Sequence, residues 1–226
     1  MPRPDVDQLV INLQQISYFK GLDDSTLLDL ARDAVWKDYA VGEVIFFEGD
    51  QSLGLYYLQT GWLKVVKSSL EGREQVLRFL GAGETFNEIG ALASRPNPAT
   101  AIALEAAGVW LLRRDSIRRL MRERPDFVER VIENMSDRVV ELVTLVADLS
   151  LRPVTGRLAR LLLDDAEGDV LHRPRWYTQA ELASRLGTVP DVVQRAMRGL
   201  EADGVIAVER HQIKIRDRKA LEKLIA

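Results

Sequence analysis

The chain of 226 residues contains no cysteine. That absence excludes disulfides, thiolate catalysis, cysteine-held iron–sulfur clusters and cysteine-bound structural zinc. Histidine is almost missing too: only His172 and His211 occur. No metal site is expected, and two histidines so placed assemble no Ser/His/Asp set. There is no glycine-rich loop opening onto Lys-Ser/Thr, hence no phosphate cradle of that type. No catalytic constellation competes, so the expectation is a protein that is not an enzyme. No apolar run approaches the 18 residues that a membrane-crossing helix needs. The opening residues Met1–Asp5 lack the basic-then-apolar layout of a secretion signal. A cytoplasmic protein with no membrane partner is expected.

The composition is that of a folded globular chain, 46% hydrophobic and 29% charged, long enough for one large domain or two small ones. The formal net charge of −3 conceals an asymmetry. Residues 151–226 hold 14 basic and 11 acidic side chains, against 17 and 23 in residues 1–150. An acidic body with a basic C-terminal part suggests that the C-terminal part meets a polyanion.

Apolar residues recur at helical spacing through Leu9, Val10, Leu13 and Ile16, and again through Leu22, Leu27, Leu28 and Leu30. Asp24 or Ser25 is expected to cap the second of these helices. From Trp36 onward short apolar runs alternate with glycine. Val44–Phe47, Leu55–Leu58, Leu63–Val66, Val76–Leu80, Ala101–Ala106 and Val109–Leu112 read as strands, with a hairpin turn at Glu71-Gly72. Many short strands with regular turns imply an antiparallel sandwich or barrel.

After Pro125 the period becomes that of a long helix, which Pro153 ends. Val128, Val131, Met135, Arg138, Leu142, Leu145 and Leu149 form a heptad seam, and Ile132, Val139, Val143 and Val146 a second stripe beside it. Such a helix is either an internal core helix or one with a stripe on the barrel and the other on a second copy of the chain. The expectation is the second, with the Val128–Leu149 seam as dimerisation surface and Arg138 snorkelling outward.

Residues 154–226 read as a compact second unit. Thr155–Asp165 is helical, Gly168–Trp176 a loop or short strand, and helices follow over Gln179–Leu186 and Pro190–Asp203. Val205–Val208 and Gln212–Ile215 make a hairpin. Thr178, three residues before Glu181, has capping-box spacing. Gly187 suits the turn between two packed helices. Thr188 with Asp191 offers a second capping device, and Pro190 suits a first helical turn. The second helix then exposes Asp191, Gln194, Arg195 and Arg198 on one side. Arg bridges guanine O6 and N7, an acid accepts from cytosine N4, and Gln pairs with adenine, so this set is suited to reading a DNA groove.

With these residues in place, the chain resembles the cAMP receptor protein/FNR (Crp/Fnr) family of bacterial transcription regulators over nearly its whole length. The blocks that carry the resemblance are Val41–Asp50, Leu55–Gly61, Glu71-Gly72, Gly83–Gly90, Val154–Leu158 and the helix-turn-helix. It implies an α+β fold. Residues 1–124 would form an N-terminal double-stranded β-helix (jelly roll) barrel of cyclic-nucleotide-binding type, 125–152 a dimerisation helix, and 153–226 a winged helix-turn-helix. Double-stranded DNA, a second copy and RNA polymerase are the implied partners. Asp191 and Arg195 match the family's base readers, Thr178 and Gln179 match positions near the phosphate backbone, and Thr188 is counted with them as a DNA contact. Val189 and Pro190 replace residues that commonly contact DNA. The rival expectation is a ligand-sensing module whose C-terminal domain docks a protein.

The effector pocket implied by the resemblance comprises Asn87, Glu88, Ile89, Ala99, Thr100, Leu142 and Val143. Glu88 matches the acid that holds the ribose, or else caps its own loop. Alanine stands where the phosphate-binding arginine is expected, and Leu142 and Val143 where polar groups would meet adenine. Arg95 either reaches in or lies solvated. An effector other than cAMP, or none, is expected. No cofactor is implied. The FNR-type cluster lacks its cysteines, and neither histidine lies in the sensory domain to hold a haem.

Overall fold

The computed structural model describes residues 4–93 and 95–225. These divide into two compact units, one drawn from Met1–Lys67 with Leu77–Val140 and one from Ser68–Val76 with Glu141–Ala226. Each is described by itself.

The first unit opens with α1 (Val6–Leu13) and α2 (Asp24–Arg32). The α2 cap is Asp23, one residue ahead of the expected position. Its Oδ1 accepts from the Thr26 amide at 2.9 Å, and the carboxylate also accepts from the Ser25 and Thr26 hydroxyls. These bonds and Arg124 hold the Asp23 carboxyl well below the usual carboxylate range. Asp24 and Ser25 therefore fall inside the helix or serve the cap from within.

The barrel follows as β1 (Val35–Tyr39), β2 (Val44–Phe46), β3 (Gly54–Thr60), β4 (Leu63–Ser68), β5 (Glu74–Leu80), β6 (Thr85–Phe86), α3 (Glu88–Ala93), β7 (Thr100–Ala103) and β8 (Ala107–Arg113). Two four-stranded sheets form, in the orders β1-β8-β3-β6 and β2-β7-β4-β5. Their facing side chains, among them Tyr56, Leu58, Leu63, Leu80, Phe86 and Val109, make one core. Gly108 is required here, because a Cβ would stand 2.3 Å from the Trp36 ring. The other face of β3 and β8 carries Leu55, Tyr57, Trp110 and Leu112. It is covered by a second core that includes α1, α2, α4 (Arg114–Glu123) and the start of α5 (Pro125–Leu151).

The 27 residues of α5 resolve the two stripes. Phe127 and Val131 are buried, with Met135 half-buried beside them, in the core of the chain's own first unit. Ile132, Val139, Val143 and Val146 are exposed by 58–63%. The expected dimerisation seam is thus corrected for Val131 and Met135, which the barrel already uses. Val128, Leu145 and Leu149 are half-buried and Leu142 is exposed next to the outer stripe. In heptad terms the outer stripe runs 132, 136, 139, 143, 146, 150. Its Ser136 hydroxyl is satisfied by donating to the Ile132 carbonyl at 2.9 Å.

The second unit consists mainly of α6 (Val154–Asp165), β9 (Val170–His172), α7 (Gln179–Leu186), α8 (Pro190–Ala202), β10 (Ile206–Val208), β11 (Gln212–Ile215) and α9 (Arg218–Ile225). Leu158, Leu162, Leu182, Val193, Leu200 and Ile213 centre its core. The expected hairpin is the edge of a three-stranded sheet, β10-β11-β9. Among the described residues no helix is long and apolar enough to cross a membrane.

Candidate nucleic-acid interface and sensory pocket

The turn between α7 and α8 is built from local chemistry. Thr178 has extended backbone angles, and its Oγ1 accepts from the Glu181 amide at 3.2 Å, which starts α7. Gly187 stops it in the left-handed region at φ 62°, where an L side chain is strained. The Thr188 amide donates back to Ala183 at 2.9 Å. The cap of α8 is Val189 without a side-chain bond, so Thr188 does not cap α8 as expected; Pro190 occupies the first turn. Pro190 presets the backbone angle there and leaves no amide to satisfy.

Leu182, Ala183 and Leu186 of α7 and Val193, Met197 and Leu200 of α8 are buried together. That leaves Asp191, Gln194, Arg195 and Arg198 exposed, with Val189 and Pro190 at the head of the same helix. Thr178 is exposed, and Gln179 and Thr188 half-buried, at the two helix starts.

A network with no sequence spacing to signal it braces this arrangement. Arg185 pairs with both oxygens of Asp165, its Nη2 at 2.9 Å from Oδ1, and the Tyr177 hydroxyl donates to the same carboxylate at 3.2 Å. Burial pushes the Tyr177 hydroxyl pKa far up, which keeps it a donor. Arg157 donates to the Leu186 carbonyl, the end of α7. Beside the helices, β9 pairs with β11, setting His172 opposite Gln212, and the Arg173 amide donates to the His211 carbonyl at 2.8 Å. Both histidines of the chain are therefore on this wing.

The residues expected around an effector have individual local settings. Asn87 takes a left-handed backbone (φ 68°) and is 9% exposed. Its Nδ2 faces Ser52 Oγ at 3.0 Å, the Gly54 carbonyl at 3.2 Å and Asn97 Oδ1 at 3.0 Å. These bonds lock the loop before α3. Ile89 is exposed. Ala99 is buried, and the Thr100 hydroxyl is engaged in accepting from the Glu48 amide at 3.0 Å. Arg95 is exposed on its loop. Leu142 and Val143 are exposed on α5.

Glu88 is different. Its carboxylate accepts from Thr85 Oγ1 at 3.1 Å, and Thr85 in turn accepts from the buried Tyr18 hydroxyl. Desolvation raises the Glu88 carboxyl pKa, partly countered by its own backbone N–H, Arg138 and Arg78. Arg78 is itself bonded to Glu84 and to the Thr85 carbonyl. Glu88 is thus a desolvated acid beside Thr85, and Ala99, which the resemblance sets where an arginine is expected, is buried. Among the described residues no group of three or more metal-ligating side chains comes together.

Family models match both units. Residues 36–124 fit the cyclic nucleotide-binding domain and residues 156–224 the Crp-like helix-turn-helix domain. The chain is 26% identical over 217 residues to the CRP-like cAMP-activated global transcriptional regulator of Mycobacterium tuberculosis, covering 93% of this chain and 97% of that one. It is 28% identical over 188 residues to the cyclic AMP receptor protein of Thermus thermophilus, covering 82% and 86%. The structure of FixK2 from Bradyrhizobium japonicum superposes with a TM-score of 0.76 at 21% identity, over 85% of this chain and 98% of that one. With a jelly-roll barrel and a glycine-turned helix pair, each matched by its own family model in order along the sequence, the chain belongs to the Crp/Fnr family of non-enzymatic, DNA-binding transcription regulators.

Proposed function

We propose that the chain acts as a homodimer paired through the outer stripe of α5, and that it reads a two-fold operator with α8. The barrel answers to an effector other than cAMP, or the dimer is active without one. Members of the family are homodimers, and Ile132, Val139, Val143 and Val146 are a heptad-spaced apolar row that the chain itself leaves exposed. Burying one such side chain contributes about 1.5–3 kcal/mol, and two helices bury the row twice over.

The observation that carries the DNA reading is the placement of Asp191, Gln194, Arg195 and Arg198 on the exposed side of α8. Thr178, Gln179 and Thr188 take the phosphates at the helix starts, where free amides favour an anion. The regulator works in the cytoplasm and meets RNA polymerase there.

Selection of bound duplexes from a random pool tests this. The expected product is a two-fold site with half-sites about one helical turn apart, bound with an affinity that falls steeply with salt as counterion release is lost. No enrichment, with retention of protein from extract instead, would support the protein-docking alternative.

A further inference from the structure

The second unit contains a cavity of about 420 Å³ behind the reading helix, between α6, α8 and α9. That volume is in the range of small-molecule sites. Val154, Val192, Leu200 and Leu224 give it an apolar lining, and the exposed Arg195 stands in its wall. An independent feature points to the same place. Gly199 lies inside α8 and lines the cavity, yet an added Cβ would meet nothing within 4 Å. A glycine inside a helix costs about 1 kcal/mol against alanine, and no contact in the structure requires this one. A longer side chain here has room to extend over the cavity.

We propose that this cavity binds a small monocarboxylate with an apolar body, and that binding lowers operator affinity. The carboxylate pairs with the Arg195 guanidinium by charge-assisted hydrogen bonds, and the hydrocarbon displaces water from between Val154, Val192 and Leu224. Asp203 also lines the cavity. It lies eight residues along α8 from Arg195, about 12 Å on the helix axis. The anion therefore seats at the Arg195 end, and a second negative group toward Asp203 is disfavoured. An Arg195 held by a ligand is withdrawn from guanine. The inhibitory half of the proposal rests on Arg195 as a base reader; the binding half does not.

The test uses hexanoate as probe, hexylamine as its cationic counterpart, and chloride to hold ionic strength constant. Full-length protein is titrated with the selected operator by fluorescence anisotropy, and the Val192, Leu200 and Leu224 methyl resonances are followed by NMR. Hexanoate is expected to shift those methyls and to raise the operator Kd at least tenfold, with no such effect from hexylamine. Gly199→Leu, which fills the cavity from a residue outside the base-reading set, should bind operator as the unmodified chain does and ignore hexanoate. Leu224→Trp on α9 is a second filling variant should the first misfold. Methyls that do not move overturn the site. An equal response in the filled variants makes the effect general anion competition and also overturns it. A change in oligomeric mass in Gly199→Leu would assign the cavity to a second copy of the chain. If no operator is obtained, the DNA reading and the inhibitory half fail together, while the methyl shifts still decide the site.

Discussion

Arg138 of α5 is an electrostatic partner of Glu88 in the barrel: its positive charge lowers the pKa of a carboxyl that burial raises. The same arginine also lowers the pKa of the Tyr18 hydroxyl, which burial raises. The half-buried guanidinium thus acts on two groups of the first unit. A hydrogen-bonded chain, Tyr18 to Thr85 to Glu88, runs from the N-terminal segment to this charge pair. Tyr18 and Phe19 in turn contact Phe127 of α5, at ring-centroid separations of 6.1 and 5.6 Å. An occupant that engages Glu88 would thus touch a network that ends on the long helix.

The raised Glu88 pKa makes a prediction about pH. In the folded chain protonation is favoured over the unfolded chain, so this residue's contribution is fully present below the unfolded carboxylate pKa. It is lost as pH rises through the folded value. Glu88→Gln keeps an acceptor for Thr85 and removes the desolvated charge. It should raise the melting temperature at pH 7–8, and the advantage should vanish as pH falls through the ordinary carboxylate range, near 4.3. Thermal unfolding of both proteins across that range checks it; a constant difference would contradict the sign.

The two stripes of α5 separate in their response to mutation. Val139→Asp with Val143→Asp should give folded monomers, because an interface would bury two unpartnered carboxylates. Phe127→Ala, in the barrel stripe, should instead cost about 3–5 kcal/mol of stability, as large-to-small changes in cores do, and leave the dimer intact. Light scattering combined with denaturant melts distinguishes these outcomes. Monomers at micromolar concentration in the unmodified chain would refute the pairing.

Arg195→Ala should relax base preference without unfolding the domain. A good bidentate contact to guanine discriminates by about 1–3 kcal/mol, so preference at one position per half-site should fall by roughly fivefold to a hundredfold at about 1.4 kcal/mol per decade. Competition with variant duplexes measures this, and the salt dependence should change little because a base contact releases few counterions.

Asn87 combines a left-handed backbone with an amide facing three oxygens, and its own Oδ1 has no partner among the described residues. Asn87→Ala loses the bonds and retains a strained backbone, while Asn87→Gly loses only the bonds. The alanine variant should therefore be the less stable of the two by about 1 kcal/mol or slightly more, measurable as a difference in denaturant midpoint.

How much of this was legible in sequence depended on whether the cause was local. The helix-turn-helix was readable because Thr178, Gly187 and Pro190 act on their immediate neighbours, and α7 begins and ends at the expected residues. The α4 helix was missed: with few apolar residues among its arginines (Ile117, Leu120 and Met121), no period stood out. The third wing strand, Val170–His172, was left open between loop and short strand, and α3 and α9 were missed for lack of length or pattern. The choice between stripes on α5 was not local at all. Both have the same alternation of three and four, and only the barrel's demand for Phe127 and Val131 breaks the tie. Arg138, the charged residue inside the Val128–Leu149 seam, interacts electrostatically with Glu88.

Cyclic AMP is expected not to act as effector here, although the Mycobacterium and Thermus relatives carry that nucleotide in their names. A cyclic phosphate is an anion, and desolvating it without a partner is strongly unfavourable. The resemblance sets Ala99 where an arginine would answer that charge, and Ala99 is 2% exposed, with no cation of its own to offer. The neighbouring Thr100 hydroxyl already accepts from the Glu48 amide. The acid that remains, Glu88, adds repulsion to an anion unless it is protonated or held by Arg138. Hydrogen bonds to a charged group contribute about 1.5–3 kcal/mol, so losing the arginine weakens binding by roughly tenfold to a hundredfold. Titration calorimetry should show no binding at micromolar cAMP, and operator affinity should be unchanged by the nucleotide. Ala99→Arg is the converse experiment: a gained heat of binding in that variant alone would identify the missing guanidinium as the cause. Micromolar binding to the unmodified chain, with a gain in operator affinity, would refute the prediction.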